Sequence, residues 1–339
     1  MQAIRKMGVI GAGAWGTALS KHLADKGLEV RLWAYERDVV HAINAKHENP
    51  IYLPGITLPR TLVAMSSIAE AIAQCDGILF VVPSHVTRQV LRELAVCLSN
   101  PVPVISATKG IEEDTSHLMT QVMDEVLPPS IQCMTMALSG PSFATEFGLS
   151  KPTAVCLAGR DEALVRRFQQ VFMTPAFRVY VDTDLMGVQL GGALKNVMAL
   201  AAGVVDGLEL GLNARAALIT RGLAEIVRLG VAMGADPRTF YGLSGVGDLV
   251  LTCTGTLSRN HTVGVRLGKG ESLAVILGSM QAVAEGVRTA RAAMGLAHRY
   301  GVEMPITQQI NAVLFEGKSC RKAVSELMER EAKPEKGIA

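Results

Sequence analysis

The stretch that most limits how this chain can fold is GVIGAGAWGTAL, residues 8–19. A short apolar run leads into it, a helical pattern through TALSKHLADKG follows, and a second apolar run, LEVRLWA, comes next. Gly11, Gly13 and Gly16 stand in the G-x-G-x-x-G spacing between strand and helix. Glycines there let the backbone turn tightly and approach a pyrophosphate, whose charge is met by the free amides at the helix N-terminus. The implied cofactor is NAD or NADP. Past the second strand, Glu36 suits a free ribose 2′-hydroxyl and Arg37 suits a 2′-phosphate, so the choice between the two stays open.

The same grammar continues through the first half. DGILFVVPS, PVPVISATKG, CMTMALSG, TAVCLAG and FRVYV are short apolar runs separated by helical patterns, as expected of parallel strands buried on both faces. After Asp182 long helical patterns take over, at Asp184–Asp206, Ala214–Gly234, Val287–Tyr300, Thr307–Phe315 and Cys320–Arg330. The expected fold class is α/β: a Rossmann-like, doubly wound parallel sheet over residues 1–182, then an all-α domain over 183–339.

Composition removes several function classes. Across 339 residues, 33 Lys+Arg against 31 Asp+Glu leave a net charge of +2, and no basic block interleaves with aromatics, which argues against nucleic acid. The six cysteines are scattered, without a C-x-x-C or a histidine pair at ligand spacing; neither a metal centre nor a disulfide framework is expected, and a reducing cytoplasm fits. The N-terminus lacks a signal-peptide pattern. The longest uncharged run, between Glu125 and Glu146, is broken by prolines, so no membrane span is expected.

One charge stands out. In GVQLGGALKNVMALAAG, residues 187–203, Lys195 is the single ionisable group in almost pure aliphatic sequence. A helix apolar around its whole circumference is a buried one. Its lysine either snorkels to water along its stem or is paired and functional. Other residues carry similar alternatives: Lys109 as a solvated loop cation, Asp248 as the cap of the helix after SGVG, Arg259 as a surface cation, and His85 as an acid–base group at a strand end.

Several patches then agree. GAGAWGTA, NPIYLPG, VVPSH, TKGIE, SGPSFATE, GVQLGGALKNV, NARAALITRGLAE, GVGDLVLTCTGTLSRN and VAEGVRTA resemble, in order and over almost the whole chain, the bacterial NAD(P)-dependent glycerol-3-phosphate dehydrogenases. GGALKNV together with SRN is specific to that family; the glycine fingerprint is not. The resemblance implies reversible reduction of dihydroxyacetone phosphate to sn-glycerol 3-phosphate, in a homodimer. It implies that Lys195 exchanges the proton with the substrate carbonyl, with Lys109, Asp248 and Thr252 in the catalytic cluster and Asn196 on the substrate. Ser258, Arg259 and Asn260 would hold the substrate phosphate, and Gly140 and Ser142 would line the substrate. Cofactor contacts would come from Gly11, Gly13, Ala14, Trp15, Gly16, Tyr35, Lys109, Ala144, Arg259, Val283 and Glu285. Position 14, commonly serine in the family, is alanine here, and its backbone amide can still serve.

The chemistry is compatible with that transfer. Ketone reduction needs a hydride, a proton and a positive setting for the oxygen that gains charge. Burial and Lys109 would lower the Lys195 pKa, whereas Asp248 and a bound phosphate would raise it. Two other readings compete. In the β-hydroxyacid dehydrogenases, including 6-phosphogluconate dehydrogenase, the helical lysine is followed four residues later by asparagine; here Asn196 is adjacent and position 199 is alanine. A non-catalytic NAD(P)-binding module would have no need of the lysines or the phosphate clamp.

Overall fold

The computed structural model describes residues 3–280, 283–332, 334 and 335. The chain divides into two compact units. One runs through Thr108 and resumes over Met119–Leu185; the other comprises Lys109–Leu118 and the chain from Met186 onward.

The first unit is built on an eight-stranded sheet: β1 (Lys6–Ile10), β2 (Glu29–Trp33), β3 (Leu62–Met65), β4 (Gly77–Phe80), β5 (Val104–Ser106), β6 (Thr135–Ser139), β7 (Thr153–Gly159) and β8 (Phe177–Asp182). Their spatial order is β3-β2-β1-β4-β5-β6-β7-β8, whose first six positions form the doubly wound Rossmann arrangement. β4 and β6 are buried along their whole length, whereas the edge strands β3 and β8 alternate buried and exposed. That difference is what two covered faces in the middle and one free side at an edge require.

Two features depart from the sequence expectation. β3 was not foreseen, because an apolar run of only four residues is too short to mark a strand. The sheet is also not wholly parallel, since β7 pairs antiparallel with β6, Met136 opposite Gly159. Residues 140–152 between them carry only the five-residue helix Ala144–Gly148, too little to cross back to the start of β6. The helix Glu162–Phe172 then supplies a full crossover, and β7 and β8 run parallel.

The second unit is helical and is organised around Leu185–Gly207, 23 residues long. This helix is long and apolar enough to cross a membrane, yet its most apolar window lies wholly inside the protein, as in a core helix. Glycines set how closely its neighbours approach. A Cβ on Gly203 would drive into the His261 carbonyl, one on Gly264 into the Leu200 carbonyl, and one on Gly207 into the Val265 carbonyl. The helix Arg259–Gly268 therefore lies backbone against backbone on the central helix, with its first turn beside the Lys195–Asn196 turn. The helices Arg259–Gly268 and Leu273–Gly278 were not separated in the sequence, because glycines such as Gly264 read as loop punctuation and here serve close packing.

This contact makes a prediction. Gly264→Ala should lower stability by ~1–3 kcal/mol through overpacking, whereas Gly278→Ala, where nothing lies within 4 Å of the added carbon, should be neutral or mildly stabilising. Urea midpoints for the two variants check this, and equal midpoints would mean that the helices are free to part.

Candidate active site

In the first unit the glycine loop follows β1 directly, and its Gly11 amide donates to the Trp33 carbonyl at 3.1 Å. Two of the three fingerprint glycines are required by the protein itself. Gly11 has φ of +115°, and a Cβ on Gly16 would drive into the Gly11 carbonyl. Gly13 differs: its φ is −64°, and an added Cβ would meet nothing within 4 Å. Neither conformation nor packing calls for glycine there, but a ligand lying against the backbone would. Gly13 is also the N-cap of the helix Ala14–Asp25 and carries no side chain to occupy the free amides. The buried Trp15 Nε1 in the first turn has no hydrogen-bond partner among the described residues. The loop thus fits a dinucleotide pyrophosphate, which the backbone of Gly13, Ala14 and Trp15 would hold.

Beyond β2, Tyr35 is 82% exposed, a ring available for stacking, and Glu36 accepts a hydrogen bond from the Tyr52 hydroxyl at 2.8 Å. Asn49, to which the sequence assigned no part, is fully buried and donates to the Ala12 carbonyl at 2.9 Å and to Thr17 Oγ1 at 2.8 Å. It opens NPIYLPG, one of the stretches behind the resemblance, but its partners are distant in sequence, so no local pattern gives its role. Gly140, with φ of +140°, and Ser142, whose hydroxyl donates to the Gly140 carbonyl at 2.9 Å, form the turn after β6 that leads to Ala144. His85 is exposed in the short turn Ser84–Val86 of this unit, whereas the lysine cluster belongs to the other.

In the second unit the amine of Lys195 does not snorkel. It donates to Asp248 Oδ1 and, at 2.9 Å, to Thr252 Oγ1. Lys109 donates to the other carboxylate oxygen, Oδ2, at 2.8 Å. Asp248 is fully buried, at 0% exposure, with one ammonium on each oxygen. It is not a capping residue: Gly247 holds that position, and Asp248 opens the helix Asp248–Thr254 from inside its first turn. The preceding segment Leu243–Gly247 is a π-type turn broken at Gly245, and it delivers the carboxylate inward. Thr252, one turn on, donates its hydroxyl to the Asp248 carbonyl at 2.6 Å and so leaves its lone pairs to Lys195. Lys109 is brought in by the segment Lys109–Leu118. Ile111 and Leu118 join the helical core, and Glu113 and Thr115 are gripped by Arg291 and Arg299.

Burial, the largest influence, draws the Lys195 pKa down to about 7. The charge of Lys109 acts the same way, and Asp248 opposes both. An amine poised near neutrality can give or take a proton at working pH.

Beside it lies a chain of amides. Asn260 Nδ2 donates to Asn196 Oδ1 at 3.0 Å, and the Gly286 amide donates to Asn260 Oδ1 at 2.9 Å. Both asparagines are nearly buried. Ser258 caps the helix Arg259–Gly268 by accepting from the His261 amide at 3.2 Å. Arg259, the first residue of that helix, makes no hydrogen bond or ion pair among the described residues; burial draws its pKa below the ordinary value, and the Glu285 carboxylate opposes this. Val283 is exposed just ahead of the helix Glu285–Tyr300. Of the residues singled out in the sequence, Lys109, Lys195, Asn196, Asp248, Thr252, Ser258, Arg259, Asn260, Val283 and Glu285 belong to this unit; the glycine loop, Tyr35, Gly140, Ser142 and Ala144 belong to the first.

A Rossmann sheet with a ligand-ready glycine loop, and a helical unit burying a titratable lysine between aspartate, threonine and a second lysine, define a nicotinamide-dinucleotide-dependent oxidoreductase. Two family descriptions match consecutive parts of the chain: NAD-dependent glycerol-3-phosphate dehydrogenase N-terminus over residues 6–165, and its C-terminus over 184–325. The chain belongs to the NAD-dependent glycerol-3-phosphate dehydrogenase family. It is 55% identical over 98% of its length to a Geobacter sulfurreducens protein named glycerol-3-phosphate dehydrogenase (NAD(P)+), covering 99% of that protein. A Bacillus cereus protein of the same name is 50% identical over 97% of each chain. The solved glycerol-3-phosphate dehydrogenase of Coxiella burnetii superposes with a TM-score of 0.92 at 38% identity, over 96% of this chain and 99% of that one.

The cluster makes its own prediction. Asp248→Asn removes the one influence from a charge that holds the Lys195 pKa up, so the amine should titrate below about 7. Lysine-selective 15N NMR across pH 5–9 reads this, and an unmoved titration would show that the carboxylate does not act on the amine.

Proposed function

We propose that this chain reduces dihydroxyacetone phosphate to sn-glycerol 3-phosphate with NAD(P)H, reversibly, through the Lys195 cluster. The observation that carries the reading is the buried Lys195 amine, paired with Asp248 and Thr252 and poised near neutrality. When bound, the nicotinamide supplies the hydride that reaches the ketone carbon. Lys195, as ammonium, gives its proton to the carbonyl oxygen as charge develops there, and in the reverse direction the neutral amine takes it back. Lys109 keeps the oxygen's surroundings positive while Asp248 aims both amines. Asn196, held by Asn260, binds substrate, with Gly140 and Ser142 lining it. Ser258, Arg259 and Asn260 hold the phosphate at a helix N-terminus, where amides and a planar multi-donor cation suit it. The product is the precursor of glycerophospholipids. Six cysteines, none in a disulfide among the described residues, support a reducing, cytoplasmic setting, and a homodimer completes the reading.

Lys195→Ala should fold and bind dinucleotide yet lose turnover by ~10²–10⁴ or more. In the parent protein, ketone reduction should fall as pH rises through about 7, because the ammonium is the donor, and alcohol oxidation should rise over the same window. Steady-state rates in both directions between pH 5.5 and 9 test this; a variant keeping a tenth of parent kcat removes Lys195 from the chemistry.

Arg259→Ala should raise KM for dihydroxyacetone phosphate and lower kcat as well, because phosphate binding also orients the carbonyl. Unphosphorylated dihydroxyacetone should be a very poor substrate and respond little. With dinucleotide affinity measured separately and divided out, an equal response of the two substrates would separate Arg259 from the phosphate.

A further inference from the structure

We propose that Tyr52 is a positioning residue for cofactor choice: its hydroxyl fixes the Glu36 carboxylate as the acceptor for a free ribose 2′-hydroxyl, making NADH the preferred dinucleotide over NADPH. The inference rests on the function proposed above only in taking the glycine loop to hold a nicotinamide dinucleotide.

The geometry comes from three anchored pieces of the first unit. β1 and β2 pair in parallel, Ile10 opposite Trp33, so the glycine loop and the segment Ala34–Glu36 leave the sheet side by side at the same edge. Glu36 sits just past that edge as the N-cap of the helix Arg37–Lys46, the region where an acidic side chain meets the adenosine ribose of a dinucleotide in this fold. Tyr52 reaches it from the segment that follows this helix and donates at 2.8 Å. Tyr52 is itself tied back to the loop: its amide donates to Asn49 Oδ1 at 3.1 Å, and Asn49 Nδ2 donates to the Ala12 carbonyl between Gly11 and Gly13. One run of hydrogen bonds and backbone therefore joins the pyrophosphate loop to the ribose-side carboxylate.

The tether has a chemical effect. A phenol has one proton to give, and a carboxylate has about four lone-pair positions, so Glu36 keeps acceptor capacity for a ribose hydroxyl. Burial, and then Glu36, push the Tyr52 hydroxyl up to about 12, so it remains a donor at working pH. Untethered, a glutamate can turn to solvent and leave a 2′-phosphate to Arg37, which is exposed and has no hydrogen-bond or ion-pair partner among the described residues. Tethered, the carboxylate stays in place and opposes a phosphate carrying about two negative charges. Its order is present before binding, so the cofactor need not supply it.

The experiment measures Kd for NADH and NADPH by nicotinamide fluorescence, together with kcat/KM for each, in the parent protein, Tyr52→Phe and Glu36→Gln. The parent should favour NADH by ~10-fold or more. Tyr52→Phe should weaken NADH by ~3–10-fold, about the net worth of one ordinary hydrogen bond, with NADPH unchanged or improved. Glu36→Gln should improve NADPH. A parent that favours NADPH, or a Tyr52→Phe variant that weakens both cofactors equally, overturns the proposal. Should Tyr52→Phe fail to fold by thermal melting, Glu36→Gln decides alone, and unchanged NADPH affinity there overturns it. If the binding ratios behave as expected while dihydroxyacetone phosphate is reduced with neither cofactor, the tether stands and the proposed function falls.

Discussion

The second unit depends on one electrostatic balance. The Leu185–Gly207 helix is buried all round, and a lone ammonium in such a place costs several kcal/mol. Asp248, itself buried, offsets that cost, and Lys109 shares in balancing its charge. Much of the surrounding architecture exists to bring the two together. A π-type turn broken at Gly245 aims the carboxylate inward, a threonine one turn on takes the amine's second hydrogen bond, and a segment from the middle of the chain supplies the second lysine. The pairing leaves the amine neither firmly charged nor firmly neutral, which suits the proton exchange proposed for it.

Shape is set by absent side chains as much as by present ones. At Gly203, Gly207 and Gly264 a methyl group would collide with backbone, and only through those gaps does the Arg259–Gly268 helix come close enough for Asn260 to bond Asn196. In the sheet unit Gly16 is needed for the same reason. Gly13 is not, and that contrast separates the glycines that serve the fold from the one that leaves room for a ligand.

Much of this was legible in the sequence, and the rest was hidden for physical reasons. Continuous apolar runs announced the inner strands, and an unbroken aliphatic helix marked its single lysine as a residue that either snorkels or is paired. β3 was hidden because its four apolar residues are too short a run to stand out. The reversal at β7 was hidden because strand composition records burial and not direction. The partners of Lys195 were suggested by resemblance alone, since periodicity cannot pair residues 53 and 57 positions apart. Asn49 and Tyr52 stood in NPIYLPG, one of the stretches behind the resemblance, yet nothing local gave their roles, because their bonds run to a backbone carbonyl and to a side chain in other loops.

The Lys109–Leu118 segment has a bearing on how this chain may be divided. It lies in the first half of the sequence, yet Ile111 and Leu118 pack in the helical core and Lys109 bonds Asp248. The polypeptide therefore passes from one unit to the other at 108/109, again at 118/119, and finally at 185/186. A single cut after the sheet would leave the first fragment carrying two apolar side chains stripped of their core. The second fragment would hold a carboxylate with one ammonium where it had two. Neither unit corresponds to a contiguous stretch of gene, so shuffling by simple end-to-end fusion would separate the two lysines. The charge balance of the site is written into the order in which the chain is threaded.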